Sequence, residues 1–130
     1  MSALVEAARA YIGTPFHHQG RVRGVGVDCV GLVVCAARDA GYTVKDTTVY
    51  ARDPDGASLV GALSEQMQPV EGGWMPGDVL TFWVVKPGLP QHVGIYAGET
   101  VIHAPIGRRV AEHRLTAQML KKLHSVWRLG

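Results

Sequence analysis

Cys29 lies between a glycine-rich loop and an apolar run, in the segment GVGVDCVGLV that covers residues 24 to 33. Asp28 directly precedes it and can cap a helix that begins at Cys29. A thiol in the first turn of a helix lies beside unpaired backbone N–H groups and the positive end of the helix dipole, which favours the thiolate and lowers its pKa. The same N–H groups can stabilise an oxyanion. The pattern indicates a nucleophile, with a thiol packed in the core as the alternative.

A nucleophilic thiol needs a base, and the chain has six histidines. In the segment HVGIYAGETVIHA, a two-residue Gly-Glu turn predicts a hairpin that pairs Gly94 with His103. His92 and His103 then become diagonal neighbours on one face of the sheet, and Gly94 leaves space between them. A nucleophile, a base and a third polar group that orients the base form the triad of a cysteine hydrolase.

A zinc site is the competing interpretation, with Cys29 joined by His17, His18, His92 or His103. The sequence lacks the CxxC and HxxxH spacings that are typical of such sites. Zinc is therefore the less favoured interpretation, and we expect no metal and no cofactor.

The composition limits the class of protein. The chain has 130 residues, of which 47% are hydrophobic and 18% charged, which is typical of one soluble globular domain, so we expect a single domain over residues 1–130. No apolar stretch approaches the roughly 20 residues that span a bilayer, so we expect no membrane insertion. The formal net charge is only +2, with scattered basic residues, which does not indicate a nucleic-acid partner.

The N-terminal segment MSALVEAARAYIGTPF has no basic start and no sustained apolar stretch. It does not resemble a secretory signal, so we expect synthesis in the cytoplasm. Cys29 and Cys35 lie six residues apart in one predicted helix, too far apart to form a disulfide.

The order of elements predicts an α+β fold, with N-terminal helices packed on a C-terminal antiparallel sheet of about five strands. Three helices are predicted in the first part of the chain: after a cap at Ser2, from Cys29 to Ala40, and from about Leu59 to Met67, closed by Pro69. Loops are expected over residues 16–27 and 42–56. The predicted strands cover residues 79–85, 92–97, 100–104, 109–114 and 124–129, with a short helix at 117–122 before the last.

Five segments in this order, GTPFHHQG, DCVGLV, PGDVLTF, HVGIYAG and VIHA, resemble the NlpC superfamily of papain-like cell-wall cysteine peptidases. The stretch HHQGRVRGVGVDCVGL is most similar to members encoded by tailed bacteriophages and gene transfer agents, which lie at the tail tip. The resemblance implies a papain-like NlpC fold, with Cys29 as nucleophile, His92 as general base and His103 as the third, orienting residue. It implies stem peptides of peptidoglycan as substrate, cut between D-glutamate and a diamino acid such as meso-diaminopimelate.

The resemblance also gives expectations for the surroundings of the triad. Asp28 is expected to support the loop and the helix start, and Trp83 and residues 87–91 to line the cleft. Phe16 stands where many members have a tyrosine that assists the oxyanion, and a phenyl ring cannot donate a hydrogen bond. Either His18 or Gln19 takes that role, or the backbone N–H of Cys29 acts alone.

Three functional hypotheses follow from these residues. The first is a cysteine endopeptidase that opens peptidoglycan locally, carried by a phage or gene transfer agent tail to the host cell wall. The second is a structural plug or hub of the tail tip, in contact with other tail proteins and with little turnover. The third is an acyltransferase or amidase of the same papain-like group, which an apolar substrate tunnel would favour.

Overall fold

The computed structural model describes residues 2–46, 57–85, 87, 88 and 90–130, and for residues 57–60 the backbone only. The described helices are α1 (Ala3–Arg9), α2 (Cys29–Asp39), α3 (Ala57–Gln66) and α4 (Ala117–Lys121). The described strands are β1 (Arg21–Val22), β2 (Gly26–Val27), β3 (Met67–Pro69), β4 (Val79–Trp83), β5 (Pro90–Tyr96), β6 (Thr100–His103), β7 (Ala111–Arg114) and β8 (Leu123–Leu129).

One antiparallel sheet holds six of these strands in the order β3-β8-β4-β5-β6-β7, and β1 and β2 form a separate two-stranded ribbon. The expected α+β class is confirmed, and each of the five predicted strands has a counterpart in the sheet. The sheet has one strand more than expected, because β3 pairs with β8 through Met67 and Leu129. Pro69 lies in this edge strand, where a missing N–H group is tolerated.

The third predicted helix therefore ended one residue too late. α3 ends at Gln66, and Met67 belongs to β3 rather than to the helix. Met67 is apolar because it is buried in a strand, and its position also fits the spacing of the apolar residues of the helix. The apolar pattern alone therefore could not show where the helix ends. The side chains of Leu59 and Val60, and residues 47–56 of the expected loop, lie outside the described residues.

The first two helices begin as predicted. The Ser2 hydroxyl accepts a hydrogen bond of 3.2 Å from the Val5 N–H at the start of α1. The Asp28 carboxylate accepts one of 2.7 Å from the Gly31 N–H at the start of α2. These bonds satisfy N–H groups that have no partner within the helix.

The two faces of the large sheet carry separate apolar layers. On one face, β5 packs against α1 and α2, and Val93 and Ile95 are buried with Leu32 of α2. On the other face, Leu80, Phe82 and Val101 are among the buried residues. The first layer holds the start of α2 against β5, the strand that carries His92. None of the described helices is long and apolar enough to cross a membrane.

Candidate active site

Three histidine rings lie in one hydrogen-bonded row across β5, β6 and β7. The register pairs Gly94 with His103, as predicted from the hairpin, and pairs Val101 with His113. His92 Nε2 lies 2.7 Å from His103 Nδ1, and His103 Nε2 lies 2.6 Å from His113 Nε2. We call His92, His103 and His113 the histidine row. The sequence analysis placed the first two together but missed His113.

Gly94 provides the space that the first two rings need. A Cβ atom at this position would come 2.7 Å from Cγ2 of Val101 and 3.3 Å from Cβ of His103. These distances are too short for an unmoved neighbour, so a larger residue would displace β6. Phe82, which pairs with His92 across β4 and β5, supports the first ring from the other side, with ring centroids 6.2 Å apart.

Cys29 is the first residue of α2, and its side chain is partly buried. Its sulfur is close enough to the backbone N–H groups of Val93, Val30 and Cys29 itself for these groups to favour the thiolate. Val93 directly follows His92 on β5. The fold therefore brings Cys29 to the strand position next to His92, although the two residues are far apart in the sequence.

The expectation of a lowered thiol pKa is wrong for this structure. Burial raises the pKa of the Cys29 thiol to about 11, and the neighbouring Asp28 carboxylate raises it further, while the three backbone N–H groups act in the opposite direction. The thiolate loses its hydration where α2 packs against β5. This loss outweighs the stabilisation that the N–H groups at the helix start give to the thiolate. Cys29 is therefore a neutral thiol at pH 7 in the free protein.

The two buried histidines are neutral as well. Burial lowers the pKa of His92 to about 3, and the nearby rings of His103 and His113 lower it further. Burial, followed by the nearby ring of His113, lowers the pKa of His103 to about 4. A neutral thiol beside a neutral imidazole is suited to general-base catalysis, in which the proton moves as the sulfur attacks.

Asp28 is a buried junction between the helix and the preceding loop. Its carboxylate accepts hydrogen bonds from the backbone N–H of Gly31 at 2.7 Å and of Gln19 at 2.7 Å. It also forms an ion pair of 3.1 Å with Arg21, which binds Asp46 at 2.9 Å in turn. Asp28 thus joins the loop at Gln19 to the start of α2 at Gly31.

The two candidate oxyanion donors lie in the loop that Asp28 holds. Gln19 adopts a left-handed backbone conformation with φ 57°. The carbonyl oxygen of His18 accepts a hydrogen bond of 3.1 Å from Nδ1 of His17. Phe16 packs against the main apolar core, and its N–H donates to the Arg108 carbonyl at 2.9 Å. The choice between His18 and Gln19 as donor stays a prediction.

Trp83 lies at the end of β4, opposite Pro90. The ammonium of Lys122 lies 5.2 Å from the centroid of its ring. The loop that follows is closed by a hydrogen bond of 3.1 Å from the Val85 N–H to the Gln91 side chain. Leu89 within this loop lies outside the described residues. That Trp83 and residues 87–91 line a substrate cleft remains a prediction.

Two further features bear on the alternatives. In the described part of the chain, no group of three or more His, Cys, Asp or Glu side chains has an arrangement that could hold a metal ion. An apolar pocket between α2, α3 and β5, with Val30 and Val93 in its wall, has a cavity volume of about 50 Å³. An engineered apolar cavity that takes one benzene molecule is larger, at roughly 150 Å³. This pocket is too small for an acyl chain and does not favour a lipid substrate.

The profile of the NlpC/P60 family matches residues 13–128, so the chain belongs to the NlpC/P60 family. No curated protein sequence matches it significantly. The resemblance to this family seen in the sequence is therefore confirmed. The closer similarity to phage and gene transfer agent members stays a hypothesis.

Solved structures share this fold. An NlpC/P60 family protein from Bacillus cereus superimposes with a TM-score of 0.75 at 24% identity, and the match covers 98% of this chain and 39% of that one. A Staphylococcus aureus protein similar to a lipoprotein of the NLP/P60 family gives 0.70 at 19% identity, covering 98% and 40%. The chain thus spans about two fifths of the length of these two proteins.

Two neighbours whose solved chains are matched almost completely are described with different activities. The NlpC/p60 domain of the peptidoglycan hydrolase SagA has a TM-score of 0.65 at 27% identity, and the match covers 98% of this chain and 97% of that one. RipD from Mycobacterium tuberculosis, a non-catalytic NlpC/p60 domain protein adapted to peptidoglycan binding, has 0.66 at 20% identity, covering 97% and 94%. The fold alone therefore does not distinguish a hydrolase from a binding protein.

Proposed function

We propose that the chain is a cysteine peptidase that hydrolyses amide bonds in the stem peptides of peptidoglycan. The observation that carries the proposal is the position of the histidine row: its first ring, His92, directly precedes Val93, whose backbone N–H lies near the Cys29 sulfur. A domain that only binds peptidoglycan has no need for a thiol, a base and an orienting ring in one region of the fold. A non-catalytic role, as in RipD or in a structural tail-tip component, is the alternative.

The geometry supports the following chemistry. Nε2 of His92 is engaged with His103, so Nδ1 is the ring nitrogen that accepts the thiol proton of Cys29. As the proton leaves, Sγ bonds to the substrate carbonyl carbon and an oxyanion forms. The backbone N–H of Cys29 and a side chain of His18 or Gln19 hold this oxyanion.

Collapse of the intermediate breaks the C–N bond. The leaving amine takes the proton from Nδ1 of His92, and the acyl group remains on Cys29 as a thioester. Water then gives its proton to His92 and attacks the thioester. The carboxylic acid leaves, and the proton returns to the sulfur, so that the enzyme ends each cycle as a neutral thiol and a neutral imidazole.

Within this class, we propose the bond between D-glutamate and a diamino acid such as meso-diaminopimelate. The support is the resemblance of the five ordered sequence segments to a family whose members usually cut this bond. We also propose that a phage or gene transfer agent tail delivers the domain to the host wall, supported by the similarity of residues 17–32 to tail-associated members.

Digestion of purified muropeptides, with products identified by mass spectrometry, tests the activity and the bond together. We expect two products, cut after D-glutamate, whose summed masses exceed the mass of the substrate by one water. His92→Ala should remove nearly all of the cleavage activity. His103→Ala should retain partial activity, since an orienting ring does not take the proton itself. Binding to intact sacculi without any cleavage by the native chain would favour the non-catalytic alternative.

A separate experiment tests delivery. Particles purified from the producing cells should contain this chain in proteomic analysis, and antibodies against it should label the tail tip in electron micrographs. Its absence from the particles would overturn the proposed delivery and leave the peptidase activity unaffected.

A further inference from the structure

The outermost ring of the histidine row lies on the edge strand of the sheet. His113 belongs to β7, whose only neighbour in the described sheet is β6. Its side chain is exposed, whereas the ring of His103 is buried. The two rings are nevertheless joined by the 2.6 Å contact between their Nε2 atoms. One end of the row therefore lies at the surface, and the other end is His92, the residue before Val93, whose N–H lies near the Cys29 sulfur.

The hydrogen positions in this row follow from its outer end. Nδ1 of His113 lies 3.1 Å from the carbonyl oxygen of Arg114. A carbonyl oxygen only accepts, so Nδ1 of a neutral His113 carries the hydrogen and its Nε2 is an acceptor. Nε2 of His103 must then donate to His113, which leaves Nδ1 of His103 as an acceptor.

The hydrogen positions of His103 determine those of His92 in turn. His92 Nε2 donates to His103 Nδ1 over 2.7 Å, and Nδ1 of His92 carries the lone pair. This tautomer is the one that a general base for Cys29 requires. In the opposite tautomer, Nδ1 of His92 carries a hydrogen and cannot accept the thiol proton.

We propose that His113 is a positioning residue that, through His103, holds His92 in the tautomer with a free lone pair on Nδ1. The inference rests on the proposed function of His92 as the base. Without an acceptor at position 113, His103 can take either tautomer, and one of the two places a hydrogen on Nδ1 of His92. His113 thus determines the tautomer of the base, His92, without touching the substrate.

The neighbouring acid on β7 does not replace this acceptor. The Glu112 carboxylate binds Arg9 at 2.9 Å and the Thr100 hydroxyl at 2.6 Å. Alternation along the strand places Glu112 on the opposite face of the sheet from His113. The acceptor for Nε2 of His103 is therefore His113 itself.

Two substitutions at this exposed position separate acceptor from donor. His113→Glu keeps an acceptor and has no donor, whereas His113→Lys offers only donors. Arg114→Glu and Arg114→Lys place the same side chains on the adjacent residue of β7 and serve as matched controls. Tautomers of His92 and His103 are read from ¹⁵N chemical shifts of histidine-labelled protein, and kcat and KM from muropeptide cleavage.

We expect Nε2–H tautomers for His92 and His103 in the native chain, in His113→Glu and in both controls. His113→Lys should convert both rings to Nδ1–H and lower kcat by roughly tenfold or more, with KM unchanged, because the base is lost and binding is not. His113→Glu should keep kcat within about threefold of the native value.

Identical tautomers and equal kcat in His113→Lys and His113→Glu would overturn the inference. The ¹⁵N spectra need no substrate, so they also separate the two proposals. A native chain that cleaves no muropeptide, but whose tautomers reverse in His113→Lys, would refute the peptidase and support the role of His113.

Discussion

The two cysteines of α2 have similar chemistry and different neighbours. Cys29 begins the helix beside β5, and Cys35 lies two turns further along, where its thiol donates to the Arg21 carbonyl at 3.4 Å. Burial is the main cause that raises the pKa of both thiols. Burial therefore disfavours the thiolate at both positions and does not single out Cys29 as the nucleophile. The difference is their position relative to the proposed base, because Cys29 lies near the N–H of Val93, the residue after His92, whereas Cys35 contacts the Arg21 carbonyl.

The largest expected effect separates the two thiols by activity. Cys29→Ser should lower the rate of muropeptide cleavage by roughly 10³-fold or more, since a hydroxyl beside a base positioned for a thiol is a far poorer nucleophile. Cys35→Ser, the matched control, should stay near the native rate. Equal losses in the two variants, with folding verified by circular dichroism, would remove the distinction.

The next effect concerns the loop beside Cys29. If His18 or Gln19 provides the second oxyanion donor, its replacement by alanine should lower kcat by roughly 10²-fold with little change in KM, because the contact forms in the transition state. The other alanine variant should be close to native. If both alanine variants cleave at the native rate and Phe16→Tyr cleaves faster, no side chain replaces the missing phenol. If both alanine variants and Phe16→Tyr all cleave at the native rate, backbone N–H groups alone hold the oxyanion.

The two ends of α2 should also differ in their contribution to stability. Asp28→Ala removes the carboxylate that accepts hydrogen bonds from the N–H groups of Gly31 and Gln19, and it should reduce the free energy of unfolding by about 2 to 3 kcal/mol. At the other end, Asp39 accepts a hydrogen bond of 2.6 Å from the Tyr11 hydroxyl. Asp39→Ala should cost about 1 kcal/mol. Urea unfolding of both variants measures the difference, and a larger loss in Asp39→Ala would contradict it.

The smallest expected difference lies in alkylation of the free protein. With its pKa raised to about 11 from an ordinary 9.0, Cys29 has little thiolate at pH 7. Its rate of reaction with iodoacetamide should rise through pH 9 without a plateau. The rates come from peptide mapping of the Cys29→Ala and Cys35→Ala variants between about pH 6 and 11. A plateau for Cys29 below about pH 8.5 would restore the lowered pKa expected for a thiol at a helix start.

Much of the local geometry of the site could be predicted from the sequence. Asp28 caps α2, Cys29 begins it, and the Gly-Glu turn sets the register that brings His103 opposite Gly94. Each of these features depends on residues within about a dozen positions of one another, so local rules of capping and hairpin pairing are sufficient. The catalytic roles of Cys29, His92 and His103 stay predictions until activity is measured.

Tertiary structure decided the features that depend on distant parts of the chain. β3 exists because β8 offers it a partner, although its sequence continues a helical pattern. His113 joins the row because β7 pairs with β6 in a register that places it opposite Val101, and no short turn signal specifies that register. The Cys29 pKa is raised because packing against β5 removes water from the thiolate. Strand register and desolvation both depend on how distant segments meet, whereas caps and tight turns are determined within the segment itself.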